Sequence, residues 1–198
     1  MTYYERNLPH WHPEGTAVFV TWTLHCAYDK FRKHPKNADP GKAFAELDQH
    51  LDKASSGPTW LKIPAIADAV EEAIKFGDRQ LNLYTLIAYV IMSNHVHMVV
   101  LPKTTLPRIT KSIKGFTAQK CNELLGRTGE KFWQDESYDH WVRTDRELQK
   151  IIAYVEKNPV RAGLVESVEE YLWSSASTKN NTGKNACATS GDSESGAV

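Results

Sequence analysis

Two kinds of apolar pattern divide the chain. Residues 17–24 (AVFVTWTL) are rich in β-branched and aromatic side chains and predict a strand opened by Gly15. Residues 81–92 predict a long second strand and residues 95–101 (HVHMVVL) a third, with Ser93 and Asn94 as the tight connection of a hairpin. The aromatic-rich stretch 131–143 (Phe132, Trp133, Tyr138, Trp141) predicts the last strand. Helical spacing governs the stretches between. Residues 43–53 predict a short helix, broken by Ser55-Ser56-Gly57-Pro58. Pro64 opens another, with Ile66, Val70 and Ile74 on one face and an end near Gly77. Ile109, Ile113, Phe116 and Cys121 mark a helix over 106–125, ended by Gly126 and Gly129. The last helix starts at a capping box, Thr144 to Glu147, and its stop is expected at Asn158-Pro159 and Gly163.

Such an order predicts an α+β fold, an antiparallel sheet with helices packed on one face and the other face open. Residues 29–40 are charged and punctuated by proline, a loop. From Ser174 onward Ser, Thr, Asn and Gly dominate, so residues 1–173 are expected to form one domain and 174–198 a disordered tail.

Charge changes this picture only locally. Lysine plus arginine and aspartate plus glutamate both number 24, so the whole chain declares no polyanionic partner. Between Lys103 and Asn122, however, there are five basic residues and no acidic one, and 103–161 holds twelve basic against eight acidic. That asymmetry suits contact with phosphates, although a basic run is also what a solvated helix face looks like. Three scattered cysteines exclude a zinc knuckle and a disulfide framework. No apolar stretch is long enough to cross a bilayer and Met1–His12 lacks a signal core, so a cytoplasmic setting is expected.

The candidate chemistry begins at His95-Val-His97. Period two puts both imidazoles on one strand face and Val96 on the other, an arrangement that can hold a divalent metal or a phosphate. In the capped helix, Leu148, Ile151, Ile152 and Val155 form the buried stripe. At about 100° per residue, Tyr154 and Asn158 lie on one flank of it, about 120° and 80° from Leu148. A phenol beside an amide at the margin of a core fits a tyrosine nucleophile near a metal; it also fits ordinary packing and a routine helix terminus. Lys150 and Lys157 flank Tyr154 at i−4 and i+3. A phenol with a pKa near ~10 is a poor nucleophile at neutral pH and needs a cation to neutralise charge developing on a phosphate. Trp133, Tyr138 and Trp141 could stack on bases, with core packing the expected role for at least two of them. His25, Glu136 and His140 read as satisfied polar groups near the sheet.

Taken in order, the segments VFVTWTL, YVIMSNHVHMVVLP, SIKGFTAQ, FWQDESYDHWVR and AYVEKNPVRAGLV resemble the single-tyrosine transposases with a histidine–hydrophobic–histidine (HUH) motif, most of all the REP-associated tyrosine transposases of bacteria. The resemblance spans about residues 16–173. It implies a ferredoxin-like (RRM-type) α+β fold with the HUH motif on a central strand. It further implies His95, His97 and Asn158 as metal ligands, Tyr154 as nucleophile, and Mg²⁺ or Mn²⁺ as the metal. The implied activity is cleavage and rejoining of hairpin-flanked single-stranded DNA through a 5′-phosphotyrosine link, in a bacterial cytoplasm, by a monomer or homodimer. Lys111, Lys114, Lys150, Lys157 and Arg161 are then candidate DNA contacts. The alternatives are a non-cleaving binder of hairpin nucleic acid, and a phosphodiesterase that uses water and leaves Tyr154 structural.

Overall fold

The computed structural model describes residues 2–5, 9–12, 15–27, 48–49, 51–53 and 57–181. Strands β1 (Thr2–Glu5) and β2 (Pro9–His12) pair as a separate antiparallel hairpin that the sequence pattern did not predict. The main sheet consists of β3 (Val18–Thr23), β4 (Tyr84–Ile91), β5 (His95–Pro102) and β6 (Tyr138–Trp141). Its order is β4-β5-β3-β6 with every pairing antiparallel. Helix α1 (Pro64–Arg79) connects the first two of these strands in sequence, and α2 (Leu106–Leu124) precedes β6. This is the ferredoxin-like α+β arrangement, and β5, with the two histidines, is one of its two inner strands.

Alternation on β3 and β5 sorts the side chains into two layers. Val18, Val20, Trp22, Val96, Met98 and Val100 face α1 and α2, where Ile66, Val70, Ile74, Ile109 and Ile113 complete the larger core. Phe19 and Val99 face the other way, with Ala88 and Val90 of β4. A β-bulge between Leu86 and Ala88 sets the parity of β4: Leu86 packs on the first layer and Ala88 on the second. Gly77 marks how tightly α1 sits on the sheet, since a Cβ there would lie 2.4 Å from the hydroxyl of Tyr84.

The second face is not open as expected. Helix α3 (Asp145–Arg161) lies over it, placing Val155 in the second core with Leu148, Ile151 and Ile152 against its edge. The capping box holds in part: Thr144 Oγ1 accepts from the Glu147 amide, while the Glu147 carboxylate accepts from the amide of Arg143. Of the expected stop at Asn158-Pro159 and Gly163, the second part holds, with Gly163 at a φ of 68° just past the helix, and the first is corrected. The helix runs on to Arg161, because a proline in the last turn removes one amide donor while Ala162 and Leu164 still close on Asn158 and Pro159. That extra turn carries Arg161 to the flank of Tyr154, seven residues back.

Order also continues past Trp173, where the domain was expected to end. Ser174 bridges to Val90, the Ser175 amide donates to the Tyr89 carbonyl, and Ser174 and Ser177 are fully buried. A last short helix, α4 (Thr178–Asn181), follows. Residues 182–198 and the loop at 29–40 lie outside the described residues, as does most of the helix expected at 43–53; its residues 48–49 and 51–53 are helical. Among the described residues no helix is long and apolar enough to cross a membrane.

Candidate metal and nucleophile site

On the face shared with α3, β5 presents His95 and His97, both fully buried, with their Nε2 atoms 3.0 Å apart. Each ring is oriented through its other nitrogen. His97 Nδ1 lies 2.7 Å from the hydroxyl of Thr21, its partner across the β3–β5 ladder. His95 Nδ1 lies 2.7 Å from Asn94 Oδ1. An amide oxygen only accepts, so Nδ1 of His95 carries the hydrogen and Nε2 of the neutral ring keeps its lone pair for a metal. Asn94 also donates from Nδ2 to the Leu51 carbonyl at 3.1 Å, which ties the turn before β5 to the helical residues 48–49 and 51–53.

That segment brings a group the sequence reading did not select. Asp48 Oδ1 lies 3.0 Å from His97 Nε2 and 3.8 Å from His95 Nε2, and the three side chains form a buried group able to hold a metal ion. In octahedral coordination at about 2.1 Å, neighbouring ligand atoms lie about 3 Å apart, so these separations suit one ion between hard oxygen and imidazole donors. Charge agrees with that use. Burial first, then His97, drives the His95 pKa down to about 3, so the ring is neutral at working pH. Burial opposes ionisation of Asp48, but the His97 hydrogen bond and the charges of His97, His95 and Arg161 prevail and hold it below the ordinary carboxylate range. Asp52, one turn on, is pushed up to about 6 by burial and by the charge of Asp48.

Tyr154 and Asn158 come to this site from α3. The Tyr154 hydroxyl donates to Asp48 Oδ2, its ring centre lies 5.8 Å from that of His97, and Phe19 packs edge-on against it. Asn158 is fully buried, yet neither side-chain atom meets a hydrogen-bond partner among the described residues. A buried amide left so carries a desolvation cost on the order of 1–3 kcal/mol, and a missing ligand is one of the few things that explains it.

Of the five predicted cations, Arg161 is brought to the site. Its guanidinium lies over the Tyr154 ring at 4.8 Å, 4.0 Å from Asp48 Oδ2 and 3.8 Å from Asp52 Oδ2. Lys150 and Lys157 are exposed on α3. Lys111 and Lys114 lie on α2, on the opposite side of the sheet, where they line a groove of about 570 Å³. Lys114 there donates to the carbonyls of Gln134 and Asp135. Trp133 is a core residue whose indole donates to Thr117, and Tyr138 packs against Phe19. His25 pairs with Gln134 and His140 with Glu147, in keeping with satisfied polar groups. Asp48 and Asp52 had one sequence signal, two carboxylates at i, i+4 around an inward Leu51. Nothing in the sequence tied that segment to β5.

A protein-family model described as transposase IS200 like matches residues 64–158, a span that contains His95, His97, Tyr154 and Asn158 but neither Asp48 nor Arg161. No curated protein matches the chain. Among solved structures, the chain is similar to a REP-associated tyrosine transposase bound to a REP hairpin, with a TM-score of 0.55, 18% identity, and coverage of 97% of this chain and 93% of that one. It is also similar to a putative transposase from Deinococcus radiodurans R1, with a TM-score of 0.36, 14% identity, and coverage of 72% and 89%. The first is a likeness of fold. The resemblance read from the motifs agrees with this match, in which residues 64–158 are similar to the IS200-like transposases.

Proposed function

We propose that this chain, built around an IS200-like transposase core, cleaves and rejoins single-stranded DNA beside a hairpin, with Tyr154 as nucleophile and a divalent cation, Mg²⁺ or Mn²⁺, as cofactor. One observation carries the reading: the carboxylate of Asp48 completes the Asp–His–His group with one oxygen and accepts the Tyr154 hydroxyl with the other. Nucleophile and metal-capable cluster therefore meet through a single side chain. His95, His97 and Asp48 are the ligands we assign, with the unpartnered Asn158 as a fourth.

When bound, the cation polarises a phosphoryl oxygen and neutralises charge in the transition state. The chain's own residues do the rest. Asp48 fixes the direction of the phenol O–H, while Phe19 and the Arg161 guanidinium hold the ring on two sides. The phenol oxygen bonds to phosphorus as the bond from phosphorus to the 3′ oxygen breaks; the phenol gives up a proton and the departing oxygen takes one up. The product is a 5′-phosphotyrosine and a free 3′-hydroxyl, which can return along the same path without a nucleotide cofactor.

The test is covalent trapping. Hairpin oligonucleotides with single-stranded flanks, mixed with protein and Mn²⁺ and run on a denaturing gel, should give a protein–DNA band. It should vanish in Tyr154→Phe and without metal. Tight binding with no adduct would instead identify a non-cleaving hairpin binder, and cleavage that survives Tyr154→Phe would identify a hydrolase that uses water.

A further inference from the structure

At the end of α3, beside the Arg161 guanidinium that lies over the Tyr154 ring, is a cavity of about 240 Å³ whose described lining residues are Gln49, Asp52, Lys53, Arg161 and Ala162. Lys53 and Arg161 are both exposed there and, among the described lining residues, face the one carboxylate of Asp52. Arg161 is held in place without using its donors. Its contacts with Asp48 and Asp52, at 4.0 and 3.8 Å, are too long for hydrogen bonds, and its central carbon lies over the Tyr154 ring at 4.8 Å. Among the described residues the guanidinium makes no hydrogen bond, although its Nη2 is the atom nearest Asp48 and Asp52, and Arg161 lines the cavity with its donors unused. An oriented, half-exposed guanidinium with unused donors, next to a second cation and a phenol, suits a doubly oxygenated anion.

We propose that this cavity is a phosphodiester site, in which Arg161 grips the phosphate that Tyr154 attacks and Lys53 the neighbouring phosphate of the same strand. The inference rests on the reading of Tyr154 as nucleophile and deepens it by naming what holds the substrate. It also gives Asp52 a part as the positioning residue that keeps Arg161 over the ring. Both cations lie outside the span matched by the family model, which ends at residue 158 and begins at 64. A purely structural role, neutralising two carboxylates, would leave Lys53 without a purpose in the cavity.

The experiment uses the full chain with Mn²⁺ and a fluorescein-labelled hairpin oligonucleotide with a single-stranded flank, read for binding across a salt series and for adduct rate. Arg161→Ala should slow the adduct by about a hundredfold, with part restored in Arg161→Lys. Lys53→Ala should weaken binding up to about tenfold and lower the slope of log affinity on log salt by about one. A methylphosphonate beside the attacked phosphate should penalise the wild type and leave Lys53→Ala no worse. Equal adduct rates and salt slopes in all three variants would overturn the proposal, as would the same slope loss in Arg79→Ala, on the opposite side of the sheet. If no Tyr154-dependent adduct forms at all, the nucleophile reading fails, while the salt slopes still decide whether the cavity holds phosphate.

Discussion

Along β5 alternate side chains serve different ends. Val96, Met98 and Val100 enter a core closed by α1 and α2, in which Tyr84 donates to the Ile74 carbonyl at 2.6 Å and Tyr89 to Glu71 at 2.7 Å. His95 and His97, one residue out of phase, enter a layer under α3 where a carboxylate, two imidazoles and an amide are packed away from water. The first layer is where burial is repaid by apolar contact. The second is costly to form without an ion, since buried polar groups there lack full partners. Neighbouring residues of one strand can thus hold stability on one side of the sheet and reactivity on the other, because the period-two pleat keeps the two from mixing.

The sharpest way to break that comparison is to truncate neighbours on β5. His97→Ala should abolish the metal-dependent adduct, a loss of at least about a thousandfold, with a modest change in melting temperature. Met98→Ala should do the reverse, costing about 2–5 kcal/mol in denaturant unfolding while folded molecules keep their adduct rate. If both variants lost activity and stability together, the two layers would not be independent.

Asn94 tests the boundary between them, since its amide orients His95 and anchors the Asp48 segment. Asn94→Ala should weaken Mn²⁺ binding by about 10–100-fold in a calorimetric titration. On the closed side, Gly77→Ala should cost about 1–3 kcal/mol by pushing the Tyr84 hydroxyl off Ile74, with Mn²⁺ affinity unchanged.

The smallest effect concerns pH. His95 is held near 3, so from about pH 6.5 downward the unfolded chain takes a proton that the metal-free fold refuses, and stability falls. Asp52, raised to about 6 from 3.8, acts in the opposite sense: between those values the fold takes a proton that the unfolded chain does not, and acidification stabilises it. Asp52→Asn removes that offset. Its unfolding free energy should therefore drop more steeply than the wild type's between about pH 6 and pH 4; an unchanged profile would mean that Asp52 is not raised.

Much of this was legible in the chain. The four strands, α1 and α2 fell close to where β-branched runs and apolar spacing put them, and His95, His97 and Tyr154 were singled out before any coordinate. The errors have a common source. Asn158-Pro159 was expected to stop the last helix together with Gly163, but the proline costs a single donor and the helix runs on to Arg161, just before Gly163. The low hydrophobicity after Ser174 spoke for disorder, yet Ser174 and Ser175 bond to the edge of β4, where backbone groups suffice and side-chain apolarity is not needed.

Local pattern decides what a segment becomes, because periodicity and caps act over a few residues; it therefore determined the strands, the helices and the pairing of two imidazoles on one face. Which distant groups meet those imidazoles depends on contacts between segments far apart in the chain. Asp48 reaches His97 from a segment that Asn94 fastens at Leu51 to the β4–β5 turn, and Tyr154 and Arg161 reach Asp48 because α3 crosses the sheet face assumed to be open. No spacing rule encodes either meeting, and the tertiary structure alone brought them about.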